Sequence, residues 1–101
     1  MIETRRGLRH DVTHCVVAEH RRLGEMTLNI ANISDQGFMC VGEVAIDRGE
    51  RVLLQLPVIG RIEAHLVWTH EGRSGFQLER VIRPDDFRAL LAILKGKRAT
   101  R

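Results

Sequence analysis

The chain has 101 residues, a length that fits one domain. Hydrophobic residues make up 44% and aromatics only 4%, so a single small core must rest on Val, Ile and Leu. The net charge is +3 and no apolar run approaches the ~18 residues of a membrane span, which argues against a helix-spanning membrane protein and suits an anionic partner.

Residues Met1 to Asp11 are polar and unpatterned and read as a mobile, arginine-bearing arm. No apolar stretch follows Arg5, Arg6 and Arg9, so no signal peptide is expected and a cytoplasmic location is. Val12 to Glu19 is β-branched and continuous, a strand. Arg21 to Gly24 supplies a turn. Glu25 to Ile33 alternates, with Met26, Leu28 and Ile30 on one face. Asn32 and Ser34 continue that parity, so both polar side chains are expected to leave on the same face. Gly37 is expected to close the turn by adopting positive φ. Phe38 to Val41 and Arg51 to Leu56 are further strands, the second stopped by Pro57 and Gly60.

Arg61 to Thr69 alternates again, placing Ile62, Ala64, Leu66 and Trp68 together. Glu71 to Arg73 closes a hairpin into Ser74 to Glu79, with Phe76 and Leu78 facing the core. Six strands with short connections predict an antiparallel barrel or sandwich. The last element differs. Pro84 fits the first helical position, and Asp85 and Asp86 suit the positive end of a helix dipole. Phe87, Leu90, Leu91 and Leu94 recur at helical spacing, and Gly96 suits the C-cap. This amphipathic helix would cover one end of the barrel. The predicted organisation is therefore an arm over 1–11, one barrel-plus-helix domain over 12–96, and a basic tail over 97–101.

Candidate chemistry concentrates in two strings. Arg5, Arg6 and Arg9 offer forked donors for phosphate oxygens, and planar guanidiniums that stack on bases. Asn32, Ser34 and Gly37 combine short polar side chains with a glycine that permits close approach. Together they suit a small, flat, doubly charged ligand. Cys15 beside His14 and His10 lacks the ligand count and spacing of a metal site, so no metal is expected.

These strings resemble the signature of the PilZ domain, the bacterial receptor module for cyclic di-GMP. Arg5 and Arg9 match its RxxxR motif, with Arg6 as the frequent second arginine. Asn32, Ser34 and Gly37 match [D/N]xSxxG, with 22 residues between Arg9 and Asn32. Val67-Trp68 followed by Gly75-Phe76 is similar to the family's later VW…G pattern. The resemblance implies a six-stranded antiparallel barrel with a C-terminal helix. It implies a cyclic di-GMP receptor that orders its arm on binding and signals to a partner protein or domain. Arg5, Arg6, Arg9, Asn32, Ser34 and Gly37 would then be ligand-binding residues, with no catalytic residue and no cofactor.

Three other classes fit less well. One is a PilZ-like protein-interaction module without nucleotide binding, which is expected to carry broken motifs; both are intact here. A nucleic-acid-binding barrel needs aromatic platforms, and this chain has one Trp and three Phe. An enzyme needs a nucleophile with a positioned base, and no such motif occurs; Cys15 and His14 point to opposite faces of a strand.

Overall fold

The computed structural model describes residues 8–96. The predicted tail over 97–101 and most of the predicted arm lie outside them. Six strands run in the order β1 (His10–His20), β2 (Gly24–Ile33), β3 (Gly37–Val41), β4 (Arg51–Leu56), β5 (Gly60–His70) and β6 (Arg73–Leu78), followed by helix α1 (Pro84–Gly96). They form a closed antiparallel barrel with neighbours β1-β2-β3-β6-β5-β4. Closure between β1 and β4 rests on two register pairs, Ala18 with Leu54 and Glu19 with Leu53.

Strand alternation builds the core. Val16 and Ala18 from β1, Leu28 and Ile30 from β2, Val52, Leu54 and Leu56 from β4, and Ile62, Ala64 and Leu66 from β5 are all buried. Phe38 and Phe76 pair across β3 and β6, with rings stacked at 5.1 Å. Offset stacking at that separation adds to the area these rings remove from water. Leu90 and Leu94 of α1 complete the core. The His10 and Phe87 rings meet edge to face at 5.7 Å, which sets the start of α1 beside the start of β1.

Two strands break their own alternation, and this changes which residues reach the surface. In β2, Asn29 and Ile30 pair with Val41 and Cys40, but Asn32 and Ile33 pair with Met39 and Phe38. Ala31 is therefore an extra residue, a bulge, and the inside–outside phase inverts across it. Ile33 goes inward and is fully buried, while Asn32 turns outward. The expected shared face of Asn32 with Met26, Leu28 and Ile30 is corrected on this ground. In β5, Leu66 pairs with Phe76 but Trp68 pairs with Gly75, so Val67 is a second bulge. Trp68 accordingly leaves the face of Ile62, Ala64 and Leu66 and stands outside.

The bulges align an outer row across five strands: Asp11, Asn32, Met39, Gly75 and Trp68 are successive register partners. The neighbouring inner row is Ile33, Phe38, Phe76 and Leu66, and every member is buried. β1 begins at His10, so the last two residues of the expected arm are already strand.

Candidate functional site

The turn between β2 and β3 is a fixed object. The Ser34 amide donates to the Gly37 carbonyl at 2.8 Å. The Ser34 Oγ accepts from the amides of Gln36 at 3.1 Å and Gly37 at 3.2 Å. Two more backbone bonds pin the turn from outside: Leu78 donates to the Gln36 carbonyl and Ile82 to the Asp35 carbonyl. Serine suits this place because its short hydroxyl can accept from amides two and three residues on. Ser34 is buried, so its hydroxyl serves the turn first.

Gly37 is required for a different reason from the one expected. Its φ is not positive. Instead β3 and β6 approach so closely that a Cβ on Gly37 would overlap the Phe76 carbonyl oxygen. Gly75 on β6 has the same property toward the Trp68 ring, which lies directly over it. The space over both glycines is thus already taken, by backbone at Gly37 and by the indole at Gly75, and a hollow lies beside them.

That hollow is a cleft of about 230 Å³. Gly37 and Gly75 form part of its lining, with Trp68 and Val67, Gln36 and Gln77, Ser34 and Arg9 around them. Arg9 lies just before β1 and is exposed. Its Nη1 donates to Asn32 Oδ1 at 2.8 Å. The amide nitrogen of Asn32 contacts the Met39 sulfur at 3.8 Å. The structure therefore brings Arg9, Ser34 and Gly37 to one cleft, with Asn32 behind Arg9. Arg5 and Arg6 lie outside the described residues.

Chemically, the cleft joins one guanidinium, a flat indole, an apolar Val67 side chain and two primary amides. It can hold a planar heterocycle against Trp68 and an anionic group near Arg9. Trp68, Gln36 and Gln77 were not expected here. Alternation alone places Trp68 on the face of Ile62, Ala64 and Leu66, because an apolar bulge residue, Val67, leaves no mark in the pattern. Gln36 occupies a variable position inside its own motif.

A second polar cluster sits at the opposite end of the barrel. His20 is buried; its Nδ1 accepts from the amides of Arg22 and Leu23, both at 3.1 Å. Nε2 therefore carries the proton and donates to Glu50 Oε1 at 3.1 Å. Arg22 reaches both Glu50 oxygens, at 2.8 and 3.1 Å. The Asp47 amide donates to the same carboxylate. That amide first, then Arg22, holds the Glu50 carboxyl down at about 2. The hollows around this cluster are wider, about 580 and 680 Å³, but their linings mix Glu and Arg and include none of the motif residues. The cluster ties the β1–β2 turn to the loop before β4.

Cys40 lies in the core, where burial pushes its thiol up to about 12. Cys15 is exposed. Among the described residues no three His, Cys, Asp or Glu side chains gather as a metal site, and no helix is long and apolar enough to cross a membrane. Comparison with known protein families finds no family model that matches this chain, and no curated protein matches it.

Proposed function

We propose that this chain is a cyclic di-GMP receptor of the PilZ type, working as a cytoplasmic effector. One observation carries the reading. The Arg9–Asn32 hydrogen bond joins the two motif strings at a cleft lined by Arg9, Ser34 and Gly37. This contact between Arg9 and the turn-bearing strand supports the reading.

In this reading the roles divide by chemistry. Arg9 supplies forked, charge-assisted donors to a phosphate or to the O6 and N7 of guanine. Asn32 orients Arg9 by accepting from Nη1. Ser34 and Gly37 position the turn, Ser34 through its amide contacts and Gly37 through the approach of β3 to β6. Trp68 offers an aromatic face to a base. Arg5 and Arg6 precede Arg9 by four and three residues, a reach of up to ~14 Å when extended. They add further guanidiniums, and the arm that bears them becomes ordered as the ligand binds. The new surface of arm, ligand and barrel then meets a partner protein or domain. Nothing is hydrolysed.

Calorimetry with cyclic di-GMP tests the reading. Wild type is expected to bind at tens of micromolar ligand or below. Arg9→Ala and Asn32→Ala are expected to lose tenfold or more in affinity. Absence of heat with wild type removes the receptor reading and leaves a protein-interaction module. Equal binding by all three proteins means the ligand sits elsewhere.

A further inference from the structure

The motif arginines are not the only polar groups at the cleft. Gln36 and Gln77 line it as well. Gln77 is the register partner of Gly37, so its side chain stands beside a position that has none. The Gln36 backbone is fixed on both sides, its amide on Ser34 Oγ and its carbonyl on the Leu78 amide. Neither side-chain amide has a partner among the described residues. Each could find water at no cost to the fold, so stability does not explain two amides here.

Size and charge narrow what they could meet. A cleft of about 230 Å³ falls below the ~300–1,000 Å³ of pockets that enclose a drug-sized ligand. It fits one ring system, with the rest of a dinucleotide outside. The amides are neutral and cannot offset a phosphate charge; Arg9 can. What an amide does well is meet a heterocycle edge, because it carries both a donor and an acceptor. Trp68 and Val67 supply the flat apolar face against which such a ring would lie.

We infer that Gln36 and Gln77 read the polar edge of the base in this cleft and set the preference for guanine over adenine. The inference rests on the receptor reading above. Guanine presents three polar groups on its pairing edge, O6, N1–H and the N2 amino group. Adenine presents two, N1 and the N6 amino group. Two amides can satisfy all three groups of guanine, whereas adenine leaves one amide partly unpaired in the complex, which costs affinity.

The test is calorimetry on the full chain with cyclic di-GMP and cyclic di-AMP, which share one sugar–phosphate ring. Wild type is expected to prefer the guanine ligand. Gln36→Ala and Gln77→Ala are each expected to weaken cyclic di-GMP binding by roughly tenfold and to narrow the guanine-over-adenine ratio by a similar factor. With Arg9 set on a phosphate, the charge the neutral amides cannot meet, Arg9→Ala should weaken both ligands and leave that ratio in place. Both glutamines are at least partly exposed, so thermal melts of the variants should match wild type. Equal affinity of wild type for the two ligands, or an unchanged ratio in both glutamine variants, overturns the inference while the receptor reading stands. No heat from wild type with either ligand removes the receptor reading itself, and this inference with it.

Discussion

Arg9 and Asn32 are 23 residues apart in sequence, yet one hydrogen bond of 2.8 Å joins them beside the cleft that Arg9 lines. The bond depends on the Ala31 bulge. Without it Asn32 would face the core and Ile33 the solvent. One extra residue in β2 therefore decides whether the two strings can meet.

That dependence predicts a separation of binding from stability. Asn32→Ala frees the Arg9 guanidinium without removing a buried group. Exposed polar pairs of this kind contribute roughly 0–1 kcal/mol. The melting temperature should change by no more than a few degrees, while affinity for cyclic di-GMP falls tenfold or more. Differential scanning calorimetry and titration on one preparation measure both. A variant that binds as wild type does would show that Arg9 needs no orienting partner.

Most of the fold was legible because six strands and one helix follow period-2 and period-3.6 patterns. Strand ends moved by one or two residues at β1, β2, β3, β5 and β6, and no element was missed. The site was legible as a set of letters, not as a surface. Alternation fixes a side chain's face only while the register holds, and both bulge residues, Ala31 and Val67, are ordinary strand residues. The phase of Asn32 and of Trp68 was therefore lost together. Gly37 was expected to serve backbone freedom, but its role depends on Phe76, 39 positions away in the chain and next to it in space. The His20–Glu50–Arg22 cluster joins a turn to a distant loop, and no local pattern announces it.

The two glycines at the cleft should respond differently to alanine. At Gly37 the added methyl meets the Phe76 backbone oxygen, which cannot move without disturbing the β3–β6 ladder. Overpacking of this kind costs about 1–3 kcal/mol or more. At Gly75 the methyl meets the Trp68 ring, a side chain that can swing away. Gly75→Ala should therefore be the milder change in urea denaturation. It should also shift the emission of the single tryptophan to longer wavelength as the ring leaves its seat. Equal losses at both positions would contradict this assignment of rigid and movable neighbours.

Acid should act through Glu50. Its carboxyl is held at about 2, below an ordinary glutamate, by the Asp47 amide and then Arg22. A carboxyl depressed in the folded state binds fewer protons there than in the unfolded chain. Its contribution is complete above the ordinary carboxylate range and is lost as pH falls through the folded value. The window runs from about 4.5 down to about 2. Glu50→Gln should flatten the fall in stability across that window relative to wild type. Because Glu50 is partly exposed, salt should diminish the difference. Urea midpoints at stepped pH values, at low and high salt, check both parts.

Two buried serines give opposite predictions from the same substitution. Ser34 Oγ accepts from two backbone amides and lies 3.4 Å from the Gly37 carbonyl. Ser34→Ala strands those amides in a buried turn, at about 1–3 kcal/mol. It should also weaken ligand binding, because the turn carries Gln36 and Gly37 into the cleft. Ser74 is just as buried, facing the core opposite Cys40, but its Oγ has no partner among the described residues. Burying an unpaired hydroxyl already costs the folded state, so Ser74→Ala removes a penalty along with one atom. Its stability should equal or exceed that of wild type, with ligand affinity unchanged. Chemical denaturation of the two variants side by side makes the comparison. If Ser74→Ala proves as destabilising as Ser34→Ala, its hydroxyl is satisfied in solution and burial alone does not distinguish the two sites.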